Sequence, residues 1–331
     1  MRICIIPGDG IGPEVIGAAA QVLRALVPEA AIEEAEAGWG TFERHGVALP
    51  AATLMAARAA DAILFGAVAS PSHAVPGYRS PIVQLRRDLD LYANIRPVSG
   101  ADARRTVDLV IVRENTEDLY TGRERLEDDG ATAIAERVIT RRASARIAHT
   151  AFDLARRRAA ALGRPGRVTV VHKANVLRVS DGLFRETVLA VAHDCPEVAL
   201  EEMLVDVAAM RLAQTPERFD VLVTTNMFGD ILSDVACIHG GGLGLAASAN
   251  LGDGRALFEP VHGAAPDIAG RGMANPLAAI TCVAMLLEWR GLPTARLRAA
   301  IADVLRNGPH TPDLGGTART TDVTEAVLAR L

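Results

Sequence analysis

The chain contains 35 basic residues, and Lys173 is its one lysine. Arginine stays protonated in proteins, whereas a lysine amine can lose and regain a proton. Where arginine has replaced lysine at every other position, the remaining amine is a candidate proton-transfer group. The second chemical signal is TTNMFGDILSDVA, where Asp230 and Asp234 stand four residues apart as a helix begins. That spacing puts both carboxylates on one face, where they repel unless a cation lies between them. Hard oxygen ligands suit Mg²⁺ or Mn²⁺. Asp206, an acid within the apolar run MLVDVAAM, could supply a third oxygen donor, or could simply cap a helix or pair in a salt bridge. Three arginines, Arg86, Arg96 and Arg113, lie beside the ends of expected elements. Guanidinium forks hold carboxylates bidentately, so such a set suits a di- or tricarboxylic acid. Each arginine alone is most simply a surface residue. Tyr120 follows Arg113 by seven residues, and a phenol and an amine beside a divalent cation can exchange protons with a bound hydroxyl or enolate.

These groups need a scaffold. Short β-branched runs alternate with alanine-rich stretches, the pattern of an α/β protein. Strands are expected at 3–6, 62–65, 109–112, 168–171, 221–225 and 256–258. Helices are expected at 13–26, 81–88, 145–161, 181–193 and 276–290, with Ser80 as a cap before Pro81. The polar residues repeatedly follow the apolar strands, where open α/β sheets bind ligands. The turn in IIPGDGIGPEV is glycine-rich, but Gly8, Gly10 and Gly12 do not give the dinucleotide fingerprint. In EPVHGAAPDIAGRGMANP, the carboxylate of Asp267 beside a ribose would favour NAD over NADP.

Composition narrows the class. A length of 331 residues suggests roughly two domains. Half the residues are hydrophobic and the formal net charge is -5, which disfavours disorder and a nucleic-acid or membrane role. The four cysteines lack metal-knuckle or redox spacing. The apolar run in MRICIIPGDG is expected to be too short for a signal peptide, and the longest apolar run, 277–287, too short to span a bilayer. A cytoplasmic location is expected.

Taken together, IPGDGIGPE, LYANIRP, RENTEDLY, HKANV, NMFGDILSD and HGAAPDIAGRGMANP closely resemble the β-decarboxylating dehydrogenases, the isocitrate/isopropylmalate dehydrogenase family. The resemblance covers essentially the whole chain. It implies an isopropylmalate dehydrogenase-like two-domain α/β fold that is not Rossmann. Residues 1–98 and 242–331 would form a large cofactor and substrate domain. Residues 99–241 would form a small domain carrying dimerisation and metal-ligand segments.

Carried over by motif, Arg86, Arg96 and Arg113 would hold the malate part of the substrate, with Ser80, Ile82 and Val83 setting its preference. Tyr120 and Lys173 would be the acid and base. Asp206, Asp230 and Asp234 would bind Mg²⁺ or Mn²⁺. Asn175 and Asn226 would line the nicotinamide side of NAD. Ile11, Glu259, His262, Gly263, Ala265, Asp267, Ile268 and Asn275 would form the rest of the cofactor site. The resemblance further implies a homodimer, or a tetramer, with shared active sites to which Lys173 and Asp206 reach from the partner subunit.

Within the family, RENTEDLY, RSPIVQLRRDLDLYANIRP and the late TPDLGG match the branch that oxidises homoisocitrate. The expected reaction is homoisocitrate to 2-oxoadipate and CO₂. Isopropylmalate, isocitrate, tartrate or a secondary-metabolite analogue are the alternatives. A non-catalytic regulatory subunit would have lost members of the acid, base and metal set, and all are present. A metal-dependent phosphate-ester enzyme would leave the arginines and lone lysine unexplained.

Overall fold

The computed structural model describes residues 1–73, 75–101 and 106–331. It divides into two compact units, Met1–Leu89 with Gly241–Leu331, and Asp90–Gly240. The sequence expectation put these divisions at residues 98 and 242.

The first unit opens with β1 (Arg2–Gly8), α1 (Gly12–Leu26), β2 (Ala31–Glu34), α2 (Trp39–His45), α3 (Ala51–Ala59), β3 (Ala62–Ala67) and α4 (Pro81–Asp88). β1 is an unbroken apolar run because it is covered on both faces and lies between parallel β2 and β3. The glycine turn after it serves backbone packing. Gly8 has φ +79°, and a Cβ there would meet the Ala67 carbonyl oxygen at 2.0 Å. Gly10 has φ +59°, and its Cβ would lie 1.9 Å from the Ala264 oxygen. The chain therefore passes close enough for the Ile11 N–H to donate to that oxygen at 2.8 Å. Between these glycines, Asp9 accepts backbone N–H bonds from Trp39, Gly40 and Ala69.

The second unit contains β4 (Ala93–Ala101), β5 (Thr106–Glu114), β6 (Glu124–Glu127), β7 (Thr132–Ala135), α5 (Arg141–Leu162), β8 (Arg167–His172), α6 (Ser180–His193), β9 (Ala199–Leu204), α7 (Val205–Gln214), β10 (Val221–Thr224) and α8 (Asn226–Cys237). Its main strands order as β4-β5-β10-β8-β9. β4 runs antiparallel to β5, and the other pairs are parallel. Leu109, Ile111, Val171, Leu222, Leu232 and Ala236 are fully buried in one core that joins these strands to α8. β6 and β7 form a separate exposed hairpin.

The chain returns to the first unit with β11 (Ala247–Gly252), β12 (Arg255–Pro260), α9 (Leu277–Trp289), α10 (Ala295–Asn307) and α11 (Thr320–Leu328). The order there is β2-β1-β3-β12-β11. α9, the apolar run read from sequence, is buried over most of its length, and among the described residues no helix is long and apolar enough to cross a membrane. Ser80 occupies the N-cap position of α4, but its hydroxyl makes no capping bond. That corrects the capping role expected of it.

Candidate active site

In the second unit, α8 gathers several of the expected groups. Its Asp230 and Asp234 face the strand arginines Arg96 on β4 and Arg113 on β5. Arg96 donates to Asn94 Oδ1 at 2.7 Å and to Ser233 Oγ at 2.6 Å. It lies 3.3 Å from Asp230 and 3.8 Å from Asp234. Arg113, only 1% exposed, donates through Nε and Nη2 to Asn226 Oδ1 at 2.9 and 2.7 Å, and through Nη1 to Asp230. Gly229 makes room for this arginine. A Cβ there would meet Arg113 Cγ at 2.6 Å.

Tyr120 sits in a single 3₁₀ turn, Leu119–Thr121, and its hydroxyl donates to Asp230 Oδ2 at 2.6 Å. The Arg113 guanidinium lies 5.1 Å from its ring centre. Burial pushes the phenol above its ordinary pKa, Arg113 opposes that shift, and the Asp230 bond adds to it. The phenol therefore holds its proton more tightly than a free tyrosine would. Burial likewise pushes Asp234 up, with Arg96 pulling against it and Asp230 adding to it.

Lys173 directly follows β8. Its N–H donates to Asp181 Oδ2 at 2.5 Å, and its Nζ donates to Asp206 Oδ1 at 2.6 Å. That bond is the main reason Asp206 sits below the usual carboxylate range. Among the described residues no three carboxylate, imidazole or thiol groups come together to hold a metal. One chain thus pairs Asp206 with Lys173 and leaves Asp230 and Asp234 in a different cluster. Asn175 is exposed in the turn beyond Lys173.

The first unit holds the remaining residues. Arg86, near the end of α4, pairs with Glu259 at 2.8 Å, and Asn250 donates to the same oxygen at 2.8 Å. Arg86 Nε is buried with no partner among the described residues, as is His262 Nε2. Burial pushes the His262 imidazole down, so it is neutral near pH 7. Ile82 and Val83 stand half-buried one turn before Arg86, and Ser80 is half-buried at the helix start. Ile11 meets the 263–265 segment through Ala264, while Gly263 and Asp267 are exposed and Ala265 has φ +40°. Ile268 is half-buried, and its N–H donates to the Ala265 oxygen at 3.2 Å. Asn275 donates to Asp313 at 3.0 Å.

Two expected cofactor residues have their polar groups engaged inside the protein. Asn226 accepts from Arg113 and donates to the Glu117 carbonyl at 3.1 Å, and Glu259 is ion-paired to Arg86. Sequence reasoning passed over Ser233 and Gly229, although both lie inside the NMFGDILSD motif. It also passed over Asp118 within RENTEDLY, and Arg137 and Asp181, which no motif marks.

Arg96 and Arg113 beside Asp230 and the Tyr120 phenol form one polar cluster, and the Lys173 amine on Asp206 forms a second. The isocitrate/isopropylmalate dehydrogenase family model matches residues 2–327, and the chain belongs to that family. It is an enzyme of the β-decarboxylating dehydrogenase class. The isocitrate/homoisocitrate dehydrogenase of Thermus thermophilus is 52% identical, covering 100% of this chain and 98% of its own. The homoisocitrate dehydrogenase of Methanocaldococcus jannaschii is 49% identical over 99% of this chain and 97% of its own. The crystal structure of isocitrate dehydrogenase from Methylococcus capsulatus superposes with a TM-score of 0.93 at 43% identity, covering 99% of this chain and 98% of that one.

Proposed function

We propose that this enzyme oxidatively decarboxylates a 3-substituted malate, with homoisocitrate to 2-oxoadipate and CO₂ as the preferred reaction. NAD and Mg²⁺ or Mn²⁺ are the proposed cofactors, and a homodimer with shared sites is the proposed assembly. The observation that carries the substrate is likeness along the full chain, at about half identity, to proteins named for homoisocitrate. Isopropylmalate is the second reading, favoured by the aliphatic Ile82 and Val83 one turn before Arg86.

The donor sets fit these cofactors. Carboxylate oxygens suit a hard divalent cation, and the unpartnered His262 Nε2 is a polar atom that a cofactor could satisfy. When bound, NAD accepts a hydride and the cation polarises substrate oxygens. Arg86, Arg96 and Arg113 bind the substrate carboxylates as charge-assisted forks. Lys173 takes the substrate hydroxyl proton, because no arginine could give one up. The resulting β-keto acid loses CO₂, with negative charge developing on an enolate that the arginines stabilise. Tyr120 then returns a proton to carbon.

Steady-state rates with NAD and Mn²⁺ on purified homoisocitrate, isocitrate, 3-isopropylmalate and tartrate test this reading. The highest kcat/KM is expected for homoisocitrate. A higher value for another of the four reassigns the substrate, and no turnover of any overturns the proposal.

A further inference from the structure

Arg137 takes no part in the chemistry above, yet its guanidinium joins three segments that carry it. Nε and Nη2 donate to the two oxygens of Asp118 at 2.6 and 3.2 Å. Nη1 donates to Asp181, and Nη2 also donates to Thr225 Oγ1 at 2.7 Å. The guanidinium further sits 4.8 Å from the ring centre of Phe228 in the first turn of α8. Its side chain is 13% exposed and both aspartates are fully buried.

Each partner leads to a proposed site residue. Asp118 directly precedes the turn bearing Tyr120 and accepts the Leu119 N–H at 2.9 Å. It also accepts the Met227 N–H of α8 at 3.1 Å, while its own N–H donates to the Val138 carbonyl beside Arg137. Asp118 has φ +72°, a conformation that costs a non-glycine residue on the order of 1–3 kcal/mol. Its carboxylate bonds hold it there. Asp181 accepts the Lys173 N–H at 2.5 Å and so fixes where that side chain leaves the backbone. Thr225 and Phe228 flank Asn226, the residue that carries Arg113.

We propose that Arg137 is a positioning residue for the proton-transfer pair. With Asp118 and Asp181 it holds the Tyr120 turn, the Lys173 turn and the start of α8 in one register. The inference rests on the reading of Tyr120 and Lys173 as acid and base, so the experiment separates the two. A merely structural ion pair would lower stability when broken and leave turnover per folded molecule intact. A positioning residue alters the chemical step.

Arg137→Lys keeps a positive charge but loses the planar fork, so one ammonium cannot serve all three partners. Asp181→Asn keeps an acceptor for the Lys173 N–H while weakening the link to Arg137, and it decides the question if Arg137→Lys does not fold. The readouts are kcat, KM, the urea midpoint, and the isotope effect on kcat with substrate deuterated at the carbinol carbon. Arg137→Lys is expected to lower kcat ~10–100-fold with KM changed only a few-fold and a larger isotope effect, since misplacement of reacting groups slows chemistry. Asp181→Asn is expected to do the same more weakly. A folded variant with kcat within twofold of wild type and an unchanged isotope effect overturns the proposal. Tyr120→Phe and Lys173→Met serve as controls. If both turn over normally, the acid–base reading falls and this inference with it. If both are nearly inactive while Arg137→Lys is normal, only the positioning role falls.

Discussion

Gly229 offers a perturbation in which stability and activity should part company. It lies within α8, where replacing glycine by alanine ordinarily gains ~1 kcal/mol of helix stability. Here the new Cβ would lie 2.6 Å from Arg113 Cγ, 2.7 Å from its Cβ and 3.1 Å from its Cδ. Restoring an ordinary carbon–carbon contact of ~3.5 Å requires the arginine stem to move by ~1 Å. The stem has little freedom, because Arg113 is 1% exposed and its head is tied to Asn226 and Asp230. Overpacking of this kind costs ~1–3 kcal/mol, which offsets the helix gain and leaves Gly229→Ala destabilised by ~0–2 kcal/mol. Activity should suffer more, since a misplacement of ~1 Å in a positioning group costs on the order of 10²-fold. Gly17 is the control. It lies in α1, and a methyl group added there would meet nothing within 4 Å, so Gly17→Ala should gain ~1 kcal/mol and keep full activity. Urea unfolding and kcat/KM measured on both variants make the comparison. If Gly229→Ala is stabilised as much as Gly17→Ala and retains wild-type kcat/KM, the close approach of Arg113 to α8 has no functional consequence.

Arg86→Met should destabilise the protein by ~3–5 kcal/mol, because it leaves Glu259 buried and without its cation; urea unfolding of Arg86→Met beside Glu259→Gln would show it. Burial pushes the Glu117 carboxyl up to about 7 from its ordinary value of 4.5, so the folded state holds this proton more tightly than the unfolded state. The resulting stability is fully present below pH 4.5 and is lost as pH rises through about 7, by at most ~3 kcal/mol. Glu117→Gln can keep both Thr140 contacts, so its stability should fall less over that interval, and parallel urea titrations of the two proteins from pH 4.5 to 8 would expose equal slopes if burial of Glu117 has no effect. NAD should be preferred over NADP at least ~10-fold in kcat/KM through the charge of Asp267, and Asp267→Asn should narrow that ratio; an equal ratio in the variant would remove Asp267 from cofactor choice.

The parts of the fold most legible in the sequence are the strands buried on both faces. β1, β3 and β10 read as apolar runs because parallel neighbours and helices cover them. The edge strands β2 and β9 carry no such signal, since AIEE and ALEEML have paired glutamates and leave few residues fully buried. β4 is hidden for another reason: Pro97 and Gly100 interrupt ANIRPVSGA, although it pairs along its whole length with β5. Site residues are legible where motif and element coincide, as in α8, whose i, i+4 spacing places Asp230 and Asp234 on one face. The role of Arg137 is not legible in this way. It is one of 34 arginines, and its partners lie 19, 44 and 88 residues away in sequence. Only folding makes them neighbours.

The most direct test concerns the separation of Lys173 and Asp206 from the cluster of Tyr120, Asp230 and Asp234. If each complete site draws these two groups from different subunits, Lys173→Ala and Tyr120→Phe proteins, each nearly inactive, should complement one another in a mixed dimer. One site of that dimer carries both defects and the other carries none. Random reassortment after joint unfolding makes about half the dimers mixed, so activity should recover to about a quarter of wild type. The same two proteins mixed without subunit exchange should stay inactive. Verified mixed dimers that regain no activity would mean that Lys173 does not complete a partner's site.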